Sequence, residues 1–233
     1  LGYDHADDLH RDVSLAARRI GHAVDLTVRA ARQALPQHRV LNFIKRERKP
    51  DYIQADHGLI IHAGEVGLGR TTDAADPLVG LRAGALAARR GLVLSPVTAD
   101  NLGKLGGPLP TPWPDSARDA LLELLASGSN LIPVWEALDL AGCISRWIPS
   151  WEPIRARPQH NAIHRHTVDR HLVQTVAEAQ QHLTRVERPD ILLLTCLFHD
   201  IGKLPGAGVH HADRGAPIAR EASNSQSRRS AGR

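Results

Sequence analysis

The sequence has no methionine and only two cysteines among its 233 residues. An intact translation product begins with methionine, whereas this chain begins with Leu1, so we expect a piece of a longer protein or a processed chain. Cys143 and Cys196 both lie within apolar stretches and have no paired spacing. We therefore interpret them as small buried hydrophobic residues and not as a disulfide or a zinc site.

Long apolar runs and a strong excess of one charge are also lacking. No stretch approaches the about 20 consecutive apolar residues that a membrane span needs, and residues 1–12 do not have the pattern of a signal peptide. The formal net charge of +4 is mild and spread along the chain, which does not favour a nucleic-acid partner. These features predict a soluble cytoplasmic protein with no membrane and no nucleic acid among its partners.

Helical patterns dominate what is present. Apolar residues recur at helical spacing from about Asp4 to Leu35, which predicts a long amphipathic helix ended by Pro36. Residues 58–69 predict a β-hairpin with its turn at Ala63 and Gly64, and residues 91–95 predict a short strand or an extended entry to the next helix. Further helices are expected over residues 76–91, 116–127, 131–142, 167–186 and 189–198. The fold class is therefore mainly α with a minor β element.

A Gly/Pro-rich stretch over residues 103–115 is the best internal boundary. It divides the chain into a helical domain with the small β element, residues 1–113, and a second, all-α domain, residues 114–220. Residues 221–233 lack any large apolar side chain, so we expect a disordered tail there.

One apolar segment ends in a group of polar residues. Residues 189–198 are apolar almost all round, which predicts a buried, central helix, and His199 and Asp200 follow directly. On the preceding helix, His171 lies at the edge of the apolar stripe. Because the two helices are expected to form an antiparallel pair, all three side chains should meet at the same end of the pair.

Two imidazoles and one carboxylate are suitable ligands for a divalent metal ion of intermediate hardness. A single histidine at a helix end is usually a capping residue, and a single aspartate after it usually forms a turn. The combination of His171 with His199 and Asp200 favours the metal site over this structural alternative.

Three segments together resemble a known family. "TVDRH" at residues 167–171, "HDIGK" at residues 199–203 and "HHADRGAPIA" at residues 210–219 resemble the HD superfamily of metal-dependent phosphohydrolases. More narrowly, they resemble the bacterial uridylyltransferase/uridylyl-removing enzymes, which modify the signal protein PII. The similarity covers essentially the whole chain, since residues 1–25 resemble the helical segment that follows that family's nucleotidyltransferase domain.

The resemblance implies a role for each site residue. His171, His199 and Asp200 would be ligands of a divalent metal, with Mg or Mn expected first and Fe or Zn as alternatives. His164 and His211 would lie beside the metal, although solvent-exposed histidines are the alternative for both. Lys203 matches the lysine after the HD pair, and it could hold the negative charge that develops during hydrolysis. The implied substrate is uridylylated PII, and the implied products are UMP and unmodified PII.

The sequence also departs from the family pattern. The superfamily's last metal carboxylate belongs on a later helix, and the 33 residues after Asp200 offer no candidate, because Asp213 follows too soon. The Gly-Ser turn with paired aspartates that a nucleotidyltransferase needs is absent, since residues 127–130 are followed at the right distance only by Asp139. Two alternatives to uridylyl removal therefore stay open: an HD phosphohydrolase acting on a free nucleotide, and a catalytically inactive HD module.

Overall fold

A computed structural model describes residues 2–35, 52–159, 166–204 and 210–226 of the chain. The described helices are α1 (Ala6–Ala34), α2 (Val79–Arg89), α3 (Pro96–Leu105), α4 (Asp115–Leu125), α5 (Leu131–Leu140), α6 (Cys143–Trp147), α7 (Val168–Ala179), α8 (Pro189–Phe198) and α9 (His211–Gln226). The described strands are β1 (Ile53–Gln54), β2 (Leu59–His62), β3 (Glu65–Leu68) and β4 (Val93–Leu94). The predicted fold class, mainly α with a minor β element, is confirmed.

The β element is larger than the predicted hairpin. Strands β2 and β3 form that hairpin in antiparallel register, with His62 opposite Glu65. Ala63 and Gly64 have φ values of 50° and 80°, which are the positive angles that a tight two-residue hairpin turn requires. The sheet has the order β1-β2-β3-β4, in which β1 is antiparallel to β2 and β4 is parallel to β3. The sequence did not predict β1, because two residues are too few for a visible alternation.

Helix α2 links the sheet to the helical part of the molecule. It follows β3, packs against α4 and α5, and leads into β4. Its alanines Ala83, Ala87 and Ala88 have no exposed surface, and such small side chains let neighbouring helices approach closely. One continuous apolar core extends from Leu59 to Ile201. It includes residues from both sides of the boundary predicted at residues 113 and 114, and the division into two domains stays a prediction.

Helices α7 and α8 pack against each other as the predicted antiparallel pair. The prediction that α8 is a buried, central helix is wrong, however. Its buried side chains are Leu193, Leu197 and Phe198, whereas Ile191 is 50% exposed. The elements that pack on α8 cover only one side of it, and the other side forms the wall of a groove shared with α9.

Helix α9 corrects the predicted start of the tail. We expected disorder from residue 221, but the helix runs to Gln226. Extending an existing helix adds one hydrogen bond for each residue that is fixed. A polar segment can therefore continue a helix whose earlier turns are held by packing against another helix. The remaining residues of the predicted tail, 227–233, lie outside the described residues.

Helix α1 is attached to the body through polar contacts. None of its residues is buried. Arg11 donates hydrogen bonds to the carbonyl oxygens of Arg155 and Glu152, at 3.0 and 3.2 Å. Arg18 contacts three carboxylates: Glu136 at 2.8 Å, Asp139 at 2.7 Å and Asp169 at 2.8 Å. The predicted amphipathic helix is present, but its arginines and not its apolar stripe hold it in place.

Two smaller findings concern the absences noted in the sequence. Both cysteines are free, and Cys143 is buried while Cys196 is half-buried. Among the helices that the structure describes, none combines the length and the apolar character that crossing a bilayer requires.

The first prediction concerns Arg18. Replacing it by Met keeps most of its aliphatic stem but leaves Asp139 and Asp169, which are 1% and 2% exposed, short of a cation. Removing one partner of a buried ion pair is strongly destabilising, so we expect Arg18→Met to lower the free energy of unfolding by about 3 kcal/mol. Denaturant titration measures the change. The neighbouring exposed Arg19 provides the control, and Arg19→Met should have an effect below about 0.5 kcal/mol. Equal changes in the free energy of unfolding for the two variants would show that the ion pairs of Arg18 contribute nothing to stability.

Candidate metal centre

The site lies where the first turn of α7 meets the end of α8. His171 is the fourth residue of α7, and its backbone N–H donates to the carbonyl oxygen of Thr167. His199 caps α8, where its N–H donates to the carbonyl oxygen of Thr195, and Asp200 follows in the turn. Because α7 and α8 are antiparallel neighbours, the start of one and the end of the other place these side chains together.

The three side chains converge as the sequence predicted. Their ligand atoms, one from each residue, all lie within 4.8 Å of one another. Nε2 of His199 is 3.3 Å from Nε2 of His171 and 3.4 Å from Oδ2 of Asp200. Nε2 of His171 is 3.6 Å from the same oxygen. Two imidazole nitrogens therefore face one carboxylate oxygen across a space of the size of a metal ion.

The orientation of His199 is fixed by its second ring nitrogen. Nδ1 of His199 is 3.0 Å from the carbonyl oxygen of Cys196. A carbonyl oxygen only accepts hydrogen bonds, so Nδ1 carries the proton in this contact and neutral His199 has its lone pair on Nε2. That lone pair points toward His171 and Asp200. A backbone carbonyl behind a metal-binding histidine is a typical arrangement, since it fixes both the tautomer and the ring.

Lys203 contacts the same carboxylate oxygen. Its Nζ is 2.6 Å from Oδ2 of Asp200 and donates a second hydrogen bond to Oε1 of Gln159 at 2.8 Å. Asp200 is only 7% exposed. Burial raises the pKa of Asp200, but the hydrogen bond from Lys203 and the nearby charges outweigh burial and leave the pKa below its usual value. Asp200 is therefore an anion in this environment.

A close approach of two glycines brings α9 to the site. A Cβ atom at Gly202 would overlap the carbonyl oxygen of His211 and the backbone nitrogen of Gly215. The absence of a side chain at Gly202 lets the first turn of α9 lie against the turn that carries Asp200. Nε2 of His211 is consequently 3.8 Å from Oδ1 of Asp200. This close backbone contact with α9 explains why the fourth residue of "HDIGK" is a glycine.

Four of the six predicted site residues therefore surround the carboxylate of Asp200: His171, His199, Lys203 and His211. His164 lies outside the described residues. Asp213, set aside because it follows the HD pair too soon, has a side chain that is 88% exposed. The sequence did not indicate Gln159, because its contact with Lys203 joins residues 44 positions apart and no local pattern marks it.

The donor set suits a divalent cation. It combines two neutral imidazoles with one anionic carboxylate, and it contains no thiolate. Such ligands accept Mn, Fe, Zn or Mg. Within the described part of the chain, these three residues form the metal-binding group, with no second carboxylate in it. Other ligand positions would be left to water, as in open catalytic sites. That these residues bind a metal stays a prediction.

Comparison with known proteins gives a consistent result. The chain is 42% identical over 230 residues to the "Bifunctional uridylyltransferase/uridylyl-removing enzyme" of Streptomyces coelicolor. This match covers 95% of the chain and 27% of the Streptomyces protein. It is 40% identical over 220 residues to the protein of the same name from Mycobacterium tuberculosis, and 34% identical over 224 residues to that from Corynebacterium glutamicum. The matches cover 94% and 96% of the chain and 26% and 31% of those proteins. The chain thus corresponds to roughly a quarter to a third of the length of these relatives. No family model matches the chain, and no solved structure matches it.

The second prediction tests the metal site directly. Asp200→Asn removes the only anion among the three ligands, so the affinity for Mn²⁺ should fall by roughly tenfold or more, since loss of a supporting group alone costs 10- to 100-fold. The free Mn²⁺ signal in electron paramagnetic resonance measures binding without any need for activity. Asp213→Asn removes the same charge from an exposed carboxylate and should leave the affinity unchanged. Equal affinity in the two variants would contradict the assignment.

Proposed function

This chain belongs to the family of bifunctional uridylyltransferase/uridylyl-removing enzymes, and we propose that it contributes the uridylyl-removing reaction. The proposed reaction is the metal-dependent hydrolysis of the uridylyl-tyrosine bond on PII, which gives UMP and unmodified PII. The observation that supports it is the convergence of His171, His199 and Asp200 within 4.8 Å. We propose the cytoplasm as the compartment, as expected from the sequence.

The residues around Asp200 would have different roles in the proposed hydrolysis. His171, His199 and Asp200 would hold a divalent ion, which would supply a hydroxide near neutral pH and polarise the phosphoryl oxygens. Asp200 would supply the anionic ligand. The ammonium group of Lys203 would stabilise negative charge on the phosphoryl group, because it is fixed at the site before the reaction begins. His211, 3.8 Å from Asp200, would donate a proton to the tyrosyl oxygen as its bond to phosphorus breaks.

The geometry gives no support to a transferase reaction in the described residues. The one aspartate at the right distance from residues 127–130 is Asp139, which is 1% exposed. Its Oδ2 contacts Arg18 and Arg155 at 2.7 and 2.9 Å, and its Oδ1 accepts a hydrogen bond from Trp151 at 3.1 Å. Both oxygens are engaged by protein donors, so Asp139 supports the fold and is no magnesium ligand.

A second candidate function is an inactive HD module that serves in folding or docking. One observation favours it: the described residues supply three ligands and no further carboxylate for a second ion. A site with a single weakly held ion would hydrolyse a phosphodiester slowly. An HD phosphohydrolase acting on a free nucleotide is the third alternative. Comparing the hydrolysis of free nucleotides with that of uridylylated PII distinguishes it from the proposed function.

The third prediction concerns activity. The chain, incubated with uridylylated PII and Mn²⁺, should release UMP, and chromatography of the nucleotide products measures the rate. Asp200→Asn should abolish this release, whereas Asp213→Asn should leave it intact. No UMP release from a chain that still binds Mn²⁺ would favour the inactive module. Hydrolysis of free nucleotides at rates above that of uridylylated PII would favour the nucleotide phosphohydrolase.

The fourth prediction separates the role of Lys203 from that of the ligands. Lys203→Gln removes a positive charge that lies 2.6 Å from the oxygen facing both histidines. We expect Mn²⁺ affinity to be equal or higher, because the ammonium competes with a cation for that oxygen, while UMP release falls by roughly 100-fold or more. Parallel Mn²⁺ titration and UMP assays of this variant provide the test. A loss of Mn²⁺ binding would mean that Lys203 positions Asp200 and does not act on the substrate.

A further inference from the structure

The first turn of α7 carries His171 but lacks the usual cap of a helix start. The N–H groups that open a helix have no partner within it, and the N-cap side chain normally accepts a hydrogen bond from one of them. Thr167 is the N-cap residue of α7, and its side chain makes no capping hydrogen bond in the described part of the chain. Because uncapped helix ends fray more readily, other contacts must hold the turn that carries this candidate ligand.

Contacts from outside α7 hold this turn. The backbone N–H of Val168 donates to the carbonyl oxygen of Arg157 at 2.9 Å. Oδ2 of Asp169 accepts a hydrogen bond from Nη1 of Arg18, in α1, at 2.8 Å. Asp169 is only 2% exposed, so salt in the solvent scarcely screens this ion pair. The residue two positions before His171 is therefore tied to α1.

Arg18 is a rigid anchor for the turn. It lies on the docked side of α1, the side that contacts the body, and it also binds Glu136 and Asp139 of α5 at 2.8 and 2.7 Å. A guanidinium group presents five donors in a fixed plane, so it can hold three carboxylates in one geometry, which a lysine cannot do. Helix α7 is thus connected to both α1 and α5 through one side chain.

Asp169 and His171 lie on opposite sides of the same turn, because residues two positions apart in an α-helix are separated by about 200° around its axis. The ion pair with Arg18 therefore holds one side of α7 while His171 reaches the candidate site from the other. A rotation of the turn by about 10° would move a side-chain atom about 6 Å from the axis by about 1 Å. Metal–ligand distances tolerate only about 0.2 Å, so such a rotation would separate His171 from the other two ligands.

We propose that Arg18 and Asp169 are positioning residues of the candidate metal site: their ion pair sets the orientation of His171 and thereby the affinity for the divalent ion. Neither of them belongs to the ligand group itself. The inference rests on the metal site of the proposed function. It gives α1 a part in metal binding from outside the site.

Two substitutions of opposite charge in the full 233-residue chain test this role. Asp169→Asn removes a negative charge and Arg18→Met removes a positive one, yet both break the same ion pair. A purely electrostatic influence would lower the Mn²⁺ affinity in the first variant and raise it in the second. We expect the affinity to fall by about tenfold in both, measured by the free Mn²⁺ signal in electron paramagnetic resonance under conditions in which the variants are folded. A raised affinity in Arg18→Met would overturn the proposal.

Asp139→Asn is the matched control. It removes the same charge from the same cluster, at a carboxylate that is 1% exposed and lies on α5 instead of α7. It should destabilise the chain at least as much as Asp169→Asn, since Asp139 also contacts Arg155 at 2.9 Å, but the Mn²⁺ affinity of the folded variant should be unchanged. Equal losses of affinity in the two variants would mean that lost stability, and not the position of His171, is the cause.

Hydrogen exchange provides a readout that needs no metal. The backbone N–H of His171 donates to the carbonyl oxygen of Thr167, so its exchange, followed by NMR, reports opening of the first turn of α7. Asp169→Asn should accelerate this exchange by roughly fivefold or more, as the loss of a helix cap would, whereas Asp139→Asn should not. Arg18→Lys is the milder variant should Arg18→Met not fold, and it should accelerate the exchange by roughly threefold, because an ammonium group holds three carboxylates less firmly.

The two measurements separate this inference from the proposed function. If the unchanged chain does not bind Mn²⁺, the proposed function fails, and the exchange of the His171 amide still decides whether the ion pair holds the turn. If the unchanged chain binds Mn²⁺ but Asp169→Asn alters neither the affinity nor the exchange, the positioning role is refuted and the proposed function stands.

Discussion

Three buried carboxylates impose the main physical constraint on this molecule. Asp139, Asp169 and Asp200 are 1%, 2% and 7% exposed, and an unpaired charge at such positions would cost several kcal/mol. Each therefore has a cation beside it. Burial raises the pKa of Asp139, and its ion pairs with Arg18 and Arg155 offset part of the rise. Arg18 stays charged, because its contacts with Glu136, Asp169 and Asp139 outweigh its own burial and raise its pKa further.

The kind of cation distinguishes the structural carboxylates from the candidate functional one. Asp139 and Asp169 are paired with arginines, whose guanidinium groups keep their charge and fit carboxylates in a fixed geometry. Asp200 is paired with Lys203, a flexible point charge, and it faces the imidazoles of His171 and His199. A metal ion could replace the lysine at Asp200 and be bound by the two imidazoles, whereas the arginine cluster offers no such ligands. The same requirement for a counter-charge thus gives a fixed salt-bridge cluster at Asp139 and Asp169. At Asp200 it gives a candidate site in which a metal ion could take over the role of the counter-charge.

The sequence predicted elements better than it predicted which of their faces are buried. The helical period of α1, the hairpin turn at Ala63 and Gly64 and the α7–α8 pair are local patterns, and all three are present. The docked side of α1 depends on Glu136, Asp139 and Asp169, more than 115 residues from Arg18, which no window of the sequence reveals. The expectation that α8 is a buried, central helix was wrong for a related reason. Composition shows that a helix is apolar, but only its neighbours decide how much of it they cover.

The candidate site was predictable to the extent that its residues share two adjacent helices. His199 and Asp200 are consecutive, and His171 lies on the neighbouring helix, so pairing the helices was enough to bring the three together. Gln159 comes from a distant loop and could not be found in this way. The arginine cluster adds a link that only the structure reveals: Asp169, fixed by Arg18 at 2.8 Å, lies two residues before His171 on the first turn of α7. One helical turn therefore carries both the salt bridge to α1 and a candidate metal ligand, so the position of His171 depends on a salt bridge outside the candidate site.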